Sequence, residues 1–217
     1  MAAPAARLKL RRSLLAAAQK MLSLGLVAGT SGNLSVRVGS GLYLITPTSA
    51  PYDTMRPADL VVINDDAEPI DGDGVPSSES LLHLAIYRAR ADVSAVCHTH
   101  SVHSSAAAAA GISIPPILDE VVVKLGGGIE CAAYGPPGSE LLAANATSAL
   151  GDRGAVLMRN HGVAGVGSSP AEALEACEVV ERVAHIYFLA RLANGAKPLP
   201  GDVIESERAV YRMRRGL

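Results

Sequence analysis

Three of the chain's six histidines fall within residues 95–105, "AVCHTHSVHSS", after an apolar run that begins at Val93. His98 and His100 stand two residues apart, and in a β-strand such residues face the same side. Both imidazoles can therefore meet one site at a strand end, where ring nitrogens suit zinc. By itself the spacing is weak evidence, since one of the pair can pack inward as an ordinary core histidine, so a third ligand is needed. His161, in "MRNHGVAGVG", is the candidate, because it follows an apolar strand and precedes a glycine. Three imidazoles with no fourth protein ligand leave a coordination position open, as catalysis requires. His103 falls on the following helix and reads as a hydrogen-bonding or capping residue. His83 and His185 lie inside helical segments and read as ordinary surface or core residues.

The acid/base candidate is Glu79 in "PSSES". A carboxylate in the first turn of a helix also simply favours the helix dipole. Two serines precede it, however, and free N–H groups at a helix start bind phosphate. "GTSGN" (29–33) and "TPTS" (46–49) add hydroxyls and backbone N–H groups of the kind that cradle an anion. Each turn alone is commonplace. Together with three histidines they suggest a zinc enzyme acting on a phosphorylated small molecule.

These groups must be carried by regular elements. Residues 8–24 have apolar residues at helical spacing, with Gly25 as the stop. "GTSGNLSVRV" reads as a glycine-rich turn entering a strand, and "LYLIT" (42–46) and "LVVI" (60–63) as short strands. "NDDAEPIDGDG" is the polar turn between hairpin strands. A helix over about 78–90 has Ser77 or Ser78 as its N-cap. "VSAVCHTH" is a strand, "SVHSSAAAAAG" a helix closed by Gly111, and a strand pair flanks His161. Residues 170–193 form a long helix from Pro170 to Asn194-Gly195. With no repeat or low-complexity linker, the pattern predicts a single α/β or α+β domain around a mixed central sheet.

Composition narrows the class. At 217 residues, 49% of them hydrophobic, the chain can bury one core. Net charge is −2 without a basic block, and aromatics are scarce, which predicts neither nucleic-acid nor membrane partners. Cys97, Cys131 and Cys177 are odd in number and far apart, as in a cytoplasmic protein. The Ala-, Leu- and Arg-rich N-terminus is broken by Arg11, Arg12 and Lys20, so it reads as the first helix rather than a targeting signal.

In order, "GTSGNLSVR", "ITPTS", "PSSE", "HTH" with "VH" following, and "NHG" resemble the class II aldolase/adducin family, from Leu14 to about Leu192. The similarity is strongest to its bacterial L-fuculose-1-phosphate aldolase branch. The resemblance implies a single-domain class II aldolase-like fold over residues 1–217, with a mostly antiparallel or mixed sheet flanked by helices and a mobile tail near 200–217. It implies one Zn2+ per subunit on His98, His100 and His161, and Glu79 as the group that shuttles the proton. Gly32, Asn33, Thr48, Ser49, Ser77 and Ser78 match the phosphate-binding positions. The implied reaction is reversible cleavage of a ketose 1-phosphate, L-fuculose 1-phosphate or a similar deoxy sugar phosphate, to dihydroxyacetone phosphate and an aldehyde such as lactaldehyde. The same scaffold also carries pentulose-phosphate 4-epimerases and methylthioribulose-1-phosphate dehydratases, and non-catalytic adducin-like interaction domains. The family's homotetramers, with sites between subunits, imply that state here. The chain departs from the fuculose enzymes at Asp119, where they carry a tyrosine from a neighbouring subunit. Tyr211 resembles a second family tyrosine, in the tail.

Overall fold

The computed structural model describes residues 4–217; residues 1–3 of the expected domain lie outside the described residues. Its frame is an eight-stranded sheet in the order β4-β3-β2-β1-β5-β8-β7-β6. The strands are β1 (Asn33–Gly39), β2 (Leu42–Ile45), β3 (Val61–Asn64), β4 (Pro69–Asp71), β5 (Ala95–Thr99), β6 (Cys131–Ala132), β7 (Ala155–Met158) and β8 (Gly162–Gly167). Every neighbouring pair is antiparallel except β6 with β7, so the sheet is mixed but mostly antiparallel, as the sequence predicts.

Alternation along the central strands builds a core on each face. Leu34 and Val36 of β1 and Cys97 of β5 join the larger cluster. It is covered by α1 (Pro4–Ser23), α3 (Val102–Ala110), α4 (Asp119–Leu125) and α6 (Pro170–Leu192). Val96 of β5 and Ala164 and Val166 of β8 point the other way, toward α2 (Ser80–Ala89) and α5 (Glu140–Leu150). Since side chains repeat every second residue, Asn33, Ser35 and His98 share this second face.

One local expectation changes. The helix expected over 78–90 starts at Ser80, with Glu79 at the N-cap position. Neither Ser77 nor Ser78 caps it, because Ser77 Oγ instead accepts the Glu79 backbone N–H at 3.2 Å. The residues of the expected tail include a helix, α7 (Gly201–Arg215). Arg208 and Arg212 pair with Asp152 at 2.8 Å each, and Arg215 donates to the Val166 carbonyl. No described helix is long and apolar enough to cross a membrane.

Candidate metal centre

The order β1-β5-β8 brings three parts of the sequence to one edge of the sheet. Asn33, first in β1, is the cross-strand partner of His98, near the end of β5, and Thr99 pairs with Val163 at the start of β8. His100 follows β5 directly. His161 sits in the turn between β7 and β8, where Asn160 adopts a left-handed backbone (φ 58). That turn is tied to α3 by the Asn160 N–H, which donates to the Ala108 carbonyl at 3.1 Å. Gly162 comes next for a steric reason: a Cβ there would lie 3.0 Å from the His100 ring.

The three rings stand around a common point, with centroids 4.7, 4.7 and 5.0 Å apart and interplanar angles of 69°, 70° and 65°. Glu79 closes the group, its Oε2 3.1 Å from His98 Nε2 and its Oε1 3.1 Å from His161 Nε2. One nitrogen or oxygen from each of the four lies within 4.8 Å of the others.

The donor set fits a divalent metal. His98 Nδ1 meets the Val163 carbonyl at 2.9 Å. A carbonyl only accepts, so Nδ1 carries the hydrogen and Nε2 presents a lone pair. That lone pair faces His100 Nε2 at 2.8 Å. Ligands held tetrahedrally by zinc lie about 3.3 Å apart, close to this spacing. Burial is the main cause that lowers His100, to about 4, and burial lowers His161 as well. Neutral imidazole is the ligating form. Burial alone would raise the Glu79 carboxyl, but His98, His161 and the Asn33 amide outweigh it and hold it well below the usual range. Glu79 Oε1, although buried, has no hydrogen-bond partner. His98 and Glu79 are thus a bare lone pair and an anion aimed at one point.

The small-residue turns converge on the same edge. Gly32 has φ +75, and a Cβ there would come within 2.6 Å of the His98 carbonyl oxygen, so only glycine fits. The buried Tyr52 hydroxyl donates to the Gly32 carbonyl at 2.5 Å and holds that turn. Segments 46–49 and 75–78 adjoin through a bridge between Pro47 and Pro76, and Thr48 N–H donates to the Val75 carbonyl at 2.9 Å. Thr48, Ser49 and Ser78 are exposed, whereas Ser77 is buried. Asn33 is buried too, and its Nδ2 donates to Glu79 Oε2 at 2.9 Å.

Asp119 and Tyr211 are not brought to this group within the chain. Asp119 is exposed at the first residue of α4, where its carboxyl faces Glu207 of α7. Tyr211 is a buried packing residue whose ring lies against Gly126 and whose hydroxyl donates to the Asp152 carbonyl at 3.1 Å. His103 does hydrogen-bond, through Nδ1 to Glu181 at 2.7 Å, and its ring stacks on His185 at 3.9 Å. His83 is more than an ordinary core histidine. Fully buried, it contacts both Ser35 and Asn33. Its place four residues after Glu79, on the same helical face, is the signal that could have linked the two.

Comparison with known proteins gives a consistent result. A family model described as the class II aldolase and adducin N-terminal domain matches residues 12–188. The chain is 38% identical to a 5-methylthioribulose-1-phosphate/5-deoxyribulose-1-phosphate aldolase of Rhodospirillum rubrum, over 97% of this chain and 94% of that one. It is 36% identical to a 5-deoxy-D-ribulose 1-phosphate aldolase of Bacillus thuringiensis serovar kurstaki, over 91% and 93%. A solved L-fuculose 1-phosphate aldolase superposes with a TM-score of 0.90 at 29% identity, covering 98% of each chain.

Proposed function

The chain belongs to the class II aldolase and adducin family, and we propose that within it this protein is a zinc-dependent aldolase of the cytoplasm. Its substrate is a ketose 1-phosphate with a short deoxy end, 5-deoxyribulose 1-phosphate or L-fuculose 1-phosphate. The products are dihydroxyacetone phosphate and an aldehyde, acetaldehyde from the former and lactaldehyde from the latter. The observation that carries this reading is the convergence of three imidazoles and one carboxylate beside three hydroxyl- and glycine-rich turns. An adducin-like interaction domain has no need of four such donors at one point.

His98, His100 and His161 would hold the ion. Zinc bound there supplies a Lewis acid that polarises the substrate's carbonyl and draws off the charge released when the C3–C4 bond breaks. Glu79 is the one carboxylate in the group and moves the proton at the carbon that was C3. Its depressed pKa keeps it ionised and able to take that proton in the condensing direction. The turns at Gly32-Asn33, Thr48-Ser49 and Ser77-Ser78 orient the phosphate with backbone N–H groups and hydroxyls. Asn33 has its Oδ1 and one amide hydrogen committed elsewhere, so its second amide N–H remains for the phosphate. Asp119 is exposed and away from its own cluster, so we assign it to the aldehyde end of a site in a second copy. That assignment favours the homotetramer.

A coupled assay for dihydroxyacetone phosphate tests the reading, with both sugars, with and without chelator, beside a Glu79→Gln variant. Metal-dependent release that falls about 10²- to 10⁴-fold in the variant is the expected result. No release from either sugar, by protein shown to hold metal, would instead point to an epimerase or dehydratase.

A further inference from the structure

Behind Glu79 runs a buried row of polar side chains, of which the proposed reaction itself calls only for Asn33. Asn33 Nδ2 lies 2.9 Å from Glu79 Oε2, and Asn33 Oδ1 lies 2.5 Å from His83 Nε2. His83 Nδ1 lies 2.6 Å from Ser35 Oγ, which lies 2.7 Å from the Tyr87 hydroxyl. The donors can be assigned one after another from the carboxylate. An ionised carboxylate only accepts, so the amide nitrogen of Asn33 must face Glu79 and its oxygen must face His83. That oxygen only accepts, so His83 carries its hydrogen on Nε2 and presents a bare Nδ1. Ser35 therefore donates to Nδ1 and accepts from the Tyr87 hydroxyl. Every bond runs the same way, from Tyr87 to Glu79.

This row crosses the contact between α2 and the sheet, where Leu82, Ile86 and Val96 are buried. Burying polar groups there costs free energy unless each is paired. None of the side-chain atoms of Asn33, Ser35, His83 or Tyr87 is left without a partner. Burial also holds the His83 imidazole down, to about 3, so it is neutral and has one hydrogen to place. An asparagine amide without such a partner could turn over and present its oxygen to the carboxylate.

We infer that His83 is a positioning residue for proton transfer: its Nε2–H holds the Asn33 amide nitrogen toward Glu79, and through that amide it fixes the carboxylate. The inference rests on Glu79 as the group that moves the proton. Ser35 and Tyr87 in turn lock the His83 tautomer, a supporting role of the kind seen behind metal ligands.

Two measurements test it. Long-range 1H–15N spectra of the zinc-loaded protein, labelled at histidine and asparagine, should show His83 as the Nε2–H tautomer and slowly exchanging Asn33 amide hydrogens. The variants His83→Gln and His83→Asn separate the two ring nitrogens. The glutamine amide reaches where Nε2 stands and can still donate to Asn33, whereas the asparagine side chain is too short. We expect kcat for dihydroxyacetone phosphate release to fall about tenfold in H83N and less than about threefold in H83Q, with KM and zinc content unchanged. The Asn33 amide hydrogens should exchange quickly in H83N alone. An Nδ1–H tautomer overturns the inference, as does an H83N variant that keeps its kcat. Should neither variant fold, the tautomer and amide exchange of the unaltered protein decide. If no sugar releases dihydroxyacetone phosphate, the proposed reaction fails, and the same spectra judge the positioning separately.

Discussion

Glu79 touches an imidazole with each of its oxygens and accepts an amide hydrogen besides. A carboxylate is worth placing there, under a cost of burial, only if it serves the ion or the proton. Its substitution by Gln keeps the shape and removes the charge, so the loss of turnover proposed above should come without loss of bound metal. His161 behaves differently. His161→Ala should remove a ligand, and zinc per chain, read by elemental analysis after dialysis, should fall from about one to well below one half. Retained stoichiometry in that variant would sink the assignment of His161 as ligand. At this scale the sequence was informative about residue types: the three histidines stand out by spacing and context, whereas Glu79, by itself an ordinary first-turn carboxylate, was singled out by the family resemblance. It was silent about His83, because a helical histidine looks the same whether it packs idly or holds an amide.

The element with the most consequence for the site is α3, which starts two residues after His100. Its first N–H groups are not capped by its own N-cap residue, Ser101. They are capped from α6, where Glu181 accepts from the backbone of His103 at 2.9 Å and of Ser104 at 2.8 Å, and from the Ser104 hydroxyl at 2.7 Å. Burial pushes the Glu181 carboxyl up, but these N–H groups and the hydroxyls of Ser104 and Ser101 outweigh it and bring it down to about 2. The folded value lies below the ordinary 4.5, so the unfolded chain binds the proton more readily. The stabilisation is therefore full above about pH 4.5 and is lost as pH falls toward 2. Glu181→Ala should cost about 1–2 kcal/mol in denaturant titrations at pH 7. The difference from the parent should shrink as the pH is lowered from 4.5, and a pH-independent difference would count against the cap. The sequence placed α3 and its Gly111 stop correctly, because small apolar residues and a left-handed glycine are local signals. It offered no hint of Glu181, a carboxylate on another helix far along the chain.

At the scale of the whole molecule, the site is assembled by strand order. Asn33, His98 and His161 meet because β1, β5 and β8 are neighbours, and α2 lies over the face that Asn33 and His98 share. Asp119 stands outside this assembly, so its proposed role needs a second copy. Glu79→Gln and Asp119→Ala chains should each lose activity alone, and mixing them should restore dihydroxyacetone phosphate release if sites are shared between subunits. Absence of recovery, with mixed oligomers shown to form, would place each site within one chain. What the sequence determined by itself was whatever depends on near neighbours: the i, i+2 pair of His98 and His100, the helix ends, the turns and the ordered motifs. The tertiary structure showed how His161, Asn33 and Glu79 reach that pair, and it alone decided that Asn33 bridges Glu79 to His83 and that α7 packs Tyr211 inward. Those contacts join residues tens of positions apart, and local propensity carries no term for them; they follow from which strands pair and which faces are buried.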